Sequence, residues 1–198
     1  MKIVCTPMCE SLLKLAGLDD YIVNLKVDNE KEADFAISLS ETKVNMPCLQ
    51  VKMNTFDQYY ESVVSIWELA KENNLNCVED IREVLEKQLS SESISSIWCT
   101  YIWTLEDSSL HHYKSNTCYR VKVYSNFLKE TVQDMGFNIV NVDERVSFVI
   151  VPDYLKDTIT DEGNVLNIPS HKNVSLDAFE RLCERYTLIN DFVKNKSH

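Results

Sequence analysis

Short apolar runs alternate with helix-like periodicity along the first third of the chain, and the same alternation returns after residue 120. Lys2-Ile3-Val4-Cys5-Thr6 reads as a strand, Pro7 to Ala16 as a helix with proline in its first turn, and Gly17 as its stop. Tyr21-Ile22-Val23-Asn24-Leu25 then reads as a second strand. In the second half Val121-Lys122-Val123-Tyr124-Ser125 is the strand and Asn126 to Met135 the helix, with Asn126 as its cap. Gly136 is the stop and Asn138-Ile139-Val140-Asn141-Val142 the next strand. The pairing continues with Asp34-Phe35-Ala36-Ile37 against Ser147-Phe148-Val149-Ile150, and Cys48-Leu49-Gln50-Val51 against Val165-Leu166-Asn167-Ile168.

Each half then closes with a long helix. Thr55-Phe56-Asp57 and Ser175-Leu176-Asp177 each put a hydroxyl at the expected N-cap and an aspartate in the first turn, where it suits the helix dipole. Tyr59, Val63, Ile66 and Ala70 in one helix, and Phe179, Cys183, Tyr186 and Ile189 in the other, keep near-helical spacing. A fixed order of elements repeated along one chain is the mark of a duplication.

Strands alternating with helices predict parallel sheets with right-handed crossovers. The expected fold class is α/β, with two pseudo-symmetric three-layer Rossmann-like lobes built from a tandem repeat and joined by a helix. The expected boundaries are residues 1–76 for the N-terminal lobe, 77–96 for a connecting helix and linker, and 97–198 for the C-terminal lobe. Cys77 to Leu89, with Val78, Ile81, Val84 or Leu85 and Leu89 on one face, is the connecting helix, and the serine-rich Ser90 to Ser96 the linker. Ile97-Trp98-Cys99-Thr100-Tyr101-Ile102-Trp103 reads as a further aromatic strand, and the polar run from Glu106 to Asn116 as a loop.

Composition narrows the partners. With 198 residues, 44% hydrophobic and 26% charged, the chain has what a globular protein needs. Its formal charge of −11 works against phosphate backbones and anionic lipid, so neither nucleic acid nor membrane is an expected partner. No apolar run approaches the ~18 residues of a membrane helix. The N-terminus carries Cys5, Cys9 and Glu10 where a signal peptide is apolar, so a cytoplasmic location is expected. Seven cysteines, Cys5, Cys9, Cys48, Cys77, Cys99, Cys118 and Cys183, lack paired spacing and are expected as thiols. Nucleotide-binding glycine loops and the common hydrolase and metalloprotease motifs are absent, and three glycines leave little room for a phosphate cradle.

The tandem arrangement resembles the chelatase-like group of folds, which includes class III periplasmic metal-complex receptors, tetrapyrrole chelatases and nitrogenase component 1 subunits. Within residues 1 to about 75, Lys2-Ile3-Val4 followed by Thr6-Pro7-Met8-Cys9-Glu10-Ser11-Leu12-Leu13-Lys14-Leu15-Ala16-Gly17-Leu18 is similar to the opening of siderophore and cobalamin receptors. Glu32-Ala33-Asp34-Phe35-Ala36-Ile37, Met46-Pro47-Cys48-Leu49-Gln50-Val51 and Phe56 to Ala70 resemble the strands and closing helix that follow in those receptors. The resemblance implies a small-molecule ligand held in the cleft between the lobes, with a metal ion or a metal-tetrapyrrole as the candidate cofactor.

In open parallel sheets ligands bind beyond the carboxyl ends of the strands. In the first lobe those positions are Thr6, Pro7, Met8, Cys9, Ser40, Glu41, Met53 and Asn54, with Glu10 following the first turn. In the second they are Ser125, Asn126, Phe127, Asp153, Tyr154, Ser170, His171 and Lys172. Helix capping alone also accounts for Ser, Thr or Asn at such places. Cys5 and Cys9 flank the first turn, where a helix N-terminus lowers thiol pKa and suits soft metals, and His171 is the best placed histidine, so these three are the candidate metal ligands. His111-His112 ranks below His171.

The leading expectation is a cytoplasmic binding protein for a metal complex or tetrapyrrole-like cofactor. The alternatives are a cofactor-assembly enzyme of chelatase type, with His171 as base or metal contact and Glu10 or Glu41 as its acid partner, and a non-catalytic subunit bound to a protein complex partner.

Overall fold

The first strand, β1 (Ile3–Cys5), is three residues long and buried throughout. The computed structural model describes residues 1–89, 116–141, 145–159, 164–170 and 177–196. The chain divides into two units, Met1–Ser93 with Ser175–Glu180, and Ile94–Val174 with Arg181–His198.

In the first unit Pro7 opens a 3-10 turn, Pro7–Cys9, that runs into α1 (Glu10–Leu15). Proline is tolerated there because the first turn of a helix has no use for its missing N–H. β2 (Tyr21–Val23), β3 (Phe35–Leu39) and β4 (Cys48–Val51) complete a parallel sheet of order β2-β1-β3-β4. The chain moves outward from β1 to β2 and back past β1 to β3, so right-handed crossovers put the two connections on opposite faces. On one face Val4, Ala36 and Val27 form a buried cluster, flanked by Ile22, Ala33, Val44, Met46 and Cys48. The opposite face carries Ile3, Cys5, Ile37 and Val51 by alternation. On that side α1 packs against α2 (Phe56–Glu72). Thr55 caps α2 by accepting the Gln58 N–H, and the Gln58 side chain returns to the Asn54 N–H at 3.1 Å.

The helix that was expected to connect the lobes, α3 (Ile81–Leu89), belongs to the first unit. It buries Ile81 and Leu85, and the chain before it is fixed by two bonds: the Val78 N–H donates to the Ala16 carbonyl at 3.0 Å, and the Trp67 indole N–H to the Val78 carbonyl at 2.8 Å.

The second unit repeats the first. β5 (Arg120–Val123), α4 (Asn126–Asp134), β6 (Asn138–Ile139), β7 (Phe148–Pro152) and β8 (Val165–Ile168) give a parallel sheet of order β6-β5-β7-β8, followed by α5 (Ala178–Lys194). The expected order of strand, helix, three strands and closing helix therefore recurs in both units, and the fold class is α/β with two parallel sheets. Register makes Ile3 equivalent to Val121, since they pair with Phe35 and Phe148. The two short helices end alike, with the Leu18 and Phe137 N–H groups bonded to the carbonyls of Leu13 and Val132, and those of Gly17 and Gly136 to Lys14 and Gln133. This is a Schellman closure, and it requires the positive φ that both glycines adopt, 81° and 77°. At the opposite end of the sheets, the Lys2 N–H is taken by the Asp34 carboxylate at 2.8 Å and the Arg120 N–H by the Ser147 hydroxyl at 3.1 Å.

Three local expectations change. Ser125, not Asn126, is the cap residue of α4, and its side chain makes no cap hydrogen bond. Asp177 is not in the first turn of α5 but precedes it, and its carboxylate accepts the N–H groups of Phe179 and Glu180 at 2.8 and 2.9 Å; Ser175 lies outside the described residues. The buried stripe of α5 runs through Phe179, Leu182, Tyr186, Ile189 and Val193, with Cys183 only half-buried, because at about 100° per residue position 182 lies roughly 20° from the centre of that stripe and position 183 roughly 80°. The expected aromatic strand Ile97 to Trp103 and the Glu106 to Asn116 loop fall almost wholly outside the described residues.

Aromatic rings fill both cores. In the first unit Phe179 meets Phe56 and Tyr59 at centroid distances of 6.2 and 5.3 Å, and the Ala178 N–H donates to the Ser11 hydroxyl. In the second, Phe148 is ringed by Tyr119, Phe137 and Phe192.

Candidate functional site

Parallel strands deliver their carboxyl ends to one edge of each sheet, and the sequence-predicted residues fall there. In the first unit the Thr6 N–H bonds the Ile37 carbonyl at 3.2 Å, which holds the turn after β1 against β3. The Thr6 hydroxyl, itself buried, donates to the Cys9 sulfur at 3.3 Å. Met8 stays exposed in the same turn. Glu10 forms an ion pair with Lys14 at 2.7 Å, one helical turn on, and this hydrogen-bonded partner raises the Lys14 pKa. After β3 the Ser40 N–H bonds the Val51 carbonyl at 2.9 Å, and after β4 Asn54 is engaged by Gln58. The Ser62 hydroxyl accepts the Lys52 N–H and donates to the Lys52 carbonyl, which ties α2 to the end of β4.

In the second unit Ser125 is half-buried and Asn126 exposed. The Ser170 hydroxyl donates to the Asp153 carboxylate, whose same oxygen accepts the Tyr154 N–H at 2.9 Å, so the ends of β7 and β8 are laced together. Tyr154 itself is exposed. His171 and Lys172 lie outside the described residues, as do the other three histidines. The structure thus places Thr6, Met8, Cys9, Glu10, Ser40 and Asn54 at the edge of one sheet, and Ser125, Asn126, Tyr154 and Ser170 at the edge of the other.

The thiol chemistry differs from the expectation that a helix N-terminus would favour thiolate. Cys5 and Cys9 are both fully buried. Desolvation, with smaller contributions from Cys9 and Glu10, pushes the Cys5 thiol up to about 12. The helical start beside it is a short 3-10 turn, so its dipole is too weak to offset burial. Among the described residues no group of three or more His, Cys, Asp or Glu side chains converges as a metal cage would require. One measurement checks the assignment: in native protein at mildly alkaline pH, iodoacetamide should alkylate exposed Cys118 and leave Cys5 protected until unfolding. A folded-state thiol pKa above the ordinary 9.0 means that the native state holds its proton longer than the unfolded state, so this group's contribution to stability falls between about pH 9 and pH 12. Rapid native labelling of Cys5 would contradict both statements.

Three polar groups inside the sheets escaped the sequence reading. Ser38 on β3 is fully buried with an unpartnered hydroxyl, the Oδ1 of Asn167 on β8 is buried and unpartnered, and Lys122 on β5 is 6% exposed. For two of them the available signal was a polar residue in a run whose counterpart in the other half is apolar, as Lys122 is to Val4 and Ser38 to Val151, whereas the counterpart of Asn167 is the polar Gln50.

The architecture is an α/β fold of two parallel-sheet units, and several solved structures share it. A mutant of FpvC from Pseudomonas aeruginosa matches with a TM-score of 0.57 at 10% identity, over 98% of this chain and 100% of that one. The laminin-binding protein Lmb of Streptococcus agalactiae, described as bifunctional with adhesin and metal transporting activity, matches with a TM-score of 0.52 at 10% identity, over 98% of each chain. The Zn(II)-bound form of an AdcAII mutant variant from Streptococcus pneumoniae matches with a TM-score of 0.50 at 11% identity, over 96% of this chain and 98% of that one. At such identities the likeness is one of fold. No family model matches the chain, and no curated protein matches its sequence.

Proposed function

We propose that this chain is a small-ligand binding protein whose ligand is a metal ion or a metal complex of the tetrapyrrole or siderophore type, taken up by turns at the carboxyl end of a parallel sheet. The observation that carries the reading is the repeated order β2-β1-β3-β4 and β6-β5-β7-β8, which brings polar turns to the carboxyl edge of each sheet. The fold likeness to the Zn(II)-bound AdcAII variant and to Lmb, a protein with metal transporting activity, supports the metal as cargo. A reducing, cytoplasmic setting is part of the proposal, supported by the six described cysteines being free thiols.

Thermal unfolding in the presence of Zn(II), haem, cobalamin or a ferric siderophore tests it. A ligand bound only by the folded state at a hundredfold excess over its Kd stabilises by about 2.7 kcal/mol, which for a chain of this size is a rise of roughly 5–10 °C. A rise with at least one of these ligands is expected. A flat response to all four would sink the reading.

A further inference from the structure

We infer that the crossover from β3 to β4, residues 40–47, is a strap that opens without the rest of its unit. A latch between Asp28 and Asn45 holds it closed, and the buried hydroxyl of Ser38 favours its opening. The device lies within the first unit and does not depend on the metal-ligand reading.

β3 ends at Leu39 and β4 begins at Cys48, so eight residues, 40–47, carry the chain from the carboxyl end of one parallel strand to the amino end of the next. Such crossovers normally run to about a dozen residues or more and contain a helix. This one has no helix and crosses the sheet as turns and bare chain. It lies on the face of Val4, Ala36 and Val27, against which its Val44 and Met46 pack. The neighbouring cover on that face is a 3-10 turn, Val27–Asn29, whereas the opposite face carries the helices α1 and α2. A segment held by little apolar surface belongs to the low-stability end of a fold.

The fastening of the strap is polar and exposed. The Asp28 carboxylate accepts the Asn45 backbone N–H at 2.9 Å and the Asn45 side-chain amide at 2.8 Å. The Gln50 amide donates to the Thr42 carbonyl at 3.1 Å, and the Thr42 N–H to the Leu39 carbonyl at 2.9 Å. Water competes for bonds at such places, so each holds the strap only modestly.

Ser38 works against them. Strand alternation puts it on the face of Ala36, where it is fully buried with its hydroxyl unpartnered. Its neighbours in the row turn elsewhere. Gln50, its partner in register, directs its amide to Thr42, and Thr6, just past the end of β1, donates its hydroxyl to the Cys9 sulfur. The equivalent position in the second unit is Val151, so the fold is satisfied by a hydrocarbon there. A buried hydroxyl without a partner penalises the closed state, and water satisfies it once the strap lifts. Latch and hydroxyl therefore act in opposite directions on one equilibrium.

Amide hydrogen exchange of the full chain tests the inference. In the parent protein the Thr42 and Asn45 N–H groups should exchange at least about a hundredfold faster than those of β1, as opening of the strap alone requires. Ser38→Ala, which removes only the oxygen, should slow exchange at both by about tenfold. Asp28→Ala leaves the acceptor of the Thr42 N–H in place, yet should speed exchange there by about tenfold. Equal protection of Thr42, Asn45 and β1 would overturn the inference, since the strap would then open only with the whole unit. So would unchanged exchange in Ser38→Ala, which would leave the hydroxyl covered in the open state, or unchanged exchange at Thr42 in Asp28→Ala. Should Asp28→Ala not fold, the Ser38→Ala measurement decides alone.

Discussion

Phe148→Ala is expected to cost about 4 kcal/mol, the larger part of what a small α/β unit has to spare. The ring is fully buried on an interior strand and lies 5.7 Å from Phe137 at 88°, 6.1 Å from Tyr119 at 62° and 5.3 Å from Phe192 at 63°. Edge-to-face pairs of this kind add to the area they bury, and removing the central ring leaves three others facing a void. Phe35 supplies the internal control. It holds the equivalent register position in the first sheet but is only half-buried, so Phe35→Ala should cost less than half as much. Amide hydrogen exchange is the right reading because the chain has two units. Protection should fall across β5, β7 and β8 in Phe148→Ala while β1 and β3 keep theirs. A loss below about 1 kcal/mol, or an equal loss in the two variants, would refute the assignment of Phe148 as the centre of the second core.

Gly17→Ala should be the most damaging single methyl in the first unit, at about 3 kcal/mol. Two causes act together. The residue has φ +81, a conformation that costs an L side chain roughly 1–2 kcal/mol. A Cβ there would also stand 2.6 Å from the Val78 backbone nitrogen and 2.7 Å from its Cγ1. Val78 cannot easily yield, since its N–H and carbonyl are both committed, to Ala16 and to the Trp67 indole. Gly17→Asn separates the causes, because asparagine tolerates positive φ but still brings a Cβ. If the close approach dominates, Gly17→Asn should be nearly as unstable as Gly17→Ala in urea unfolding followed by Trp67 fluorescence. Near-parental stability of Gly17→Asn would refute the role of the Val78 contact.

Much of this architecture could be read from the chain because backbone-demanding residues cannot drift as side chains can. Gly17 and Gly136 announced the repeat, and their equivalence is confirmed by matching hydrogen bonds at both helix ends. Thr55 was recognised as a cap because a hydroxyl before an apolar periodic run has few other uses. The errors were of the kind that local pattern cannot avoid. Asn126, Ser125 and Asp177 all belong to residue types that can cap, and which one does so depends on where the helix starts, a matter settled by packing. Cys5 looked like a thiolate candidate from its place beside a helix start, but desolvation depends on neighbours that only the folded sheet assembles. Lys122 was read simply as part of a strand, since alternation tells which face a residue takes and not whether that face is dry.

The outer strands carry a last consequence. Sheets of this type end in unpaired N–H and C=O groups, and a long flat edge is a template on which another chain can grow. Among the described residues β2 and β6 are each the outermost strand on one side of its sheet, and they are only three and two residues long. An incoming strand finds too few free groups to anchor itself, and the formal charge of −11 repels a second copy before it arrives. The brevity of these edges is thus a safeguard against aggregation, one that lengthening β6 by a few β-branched residues would be expected to remove.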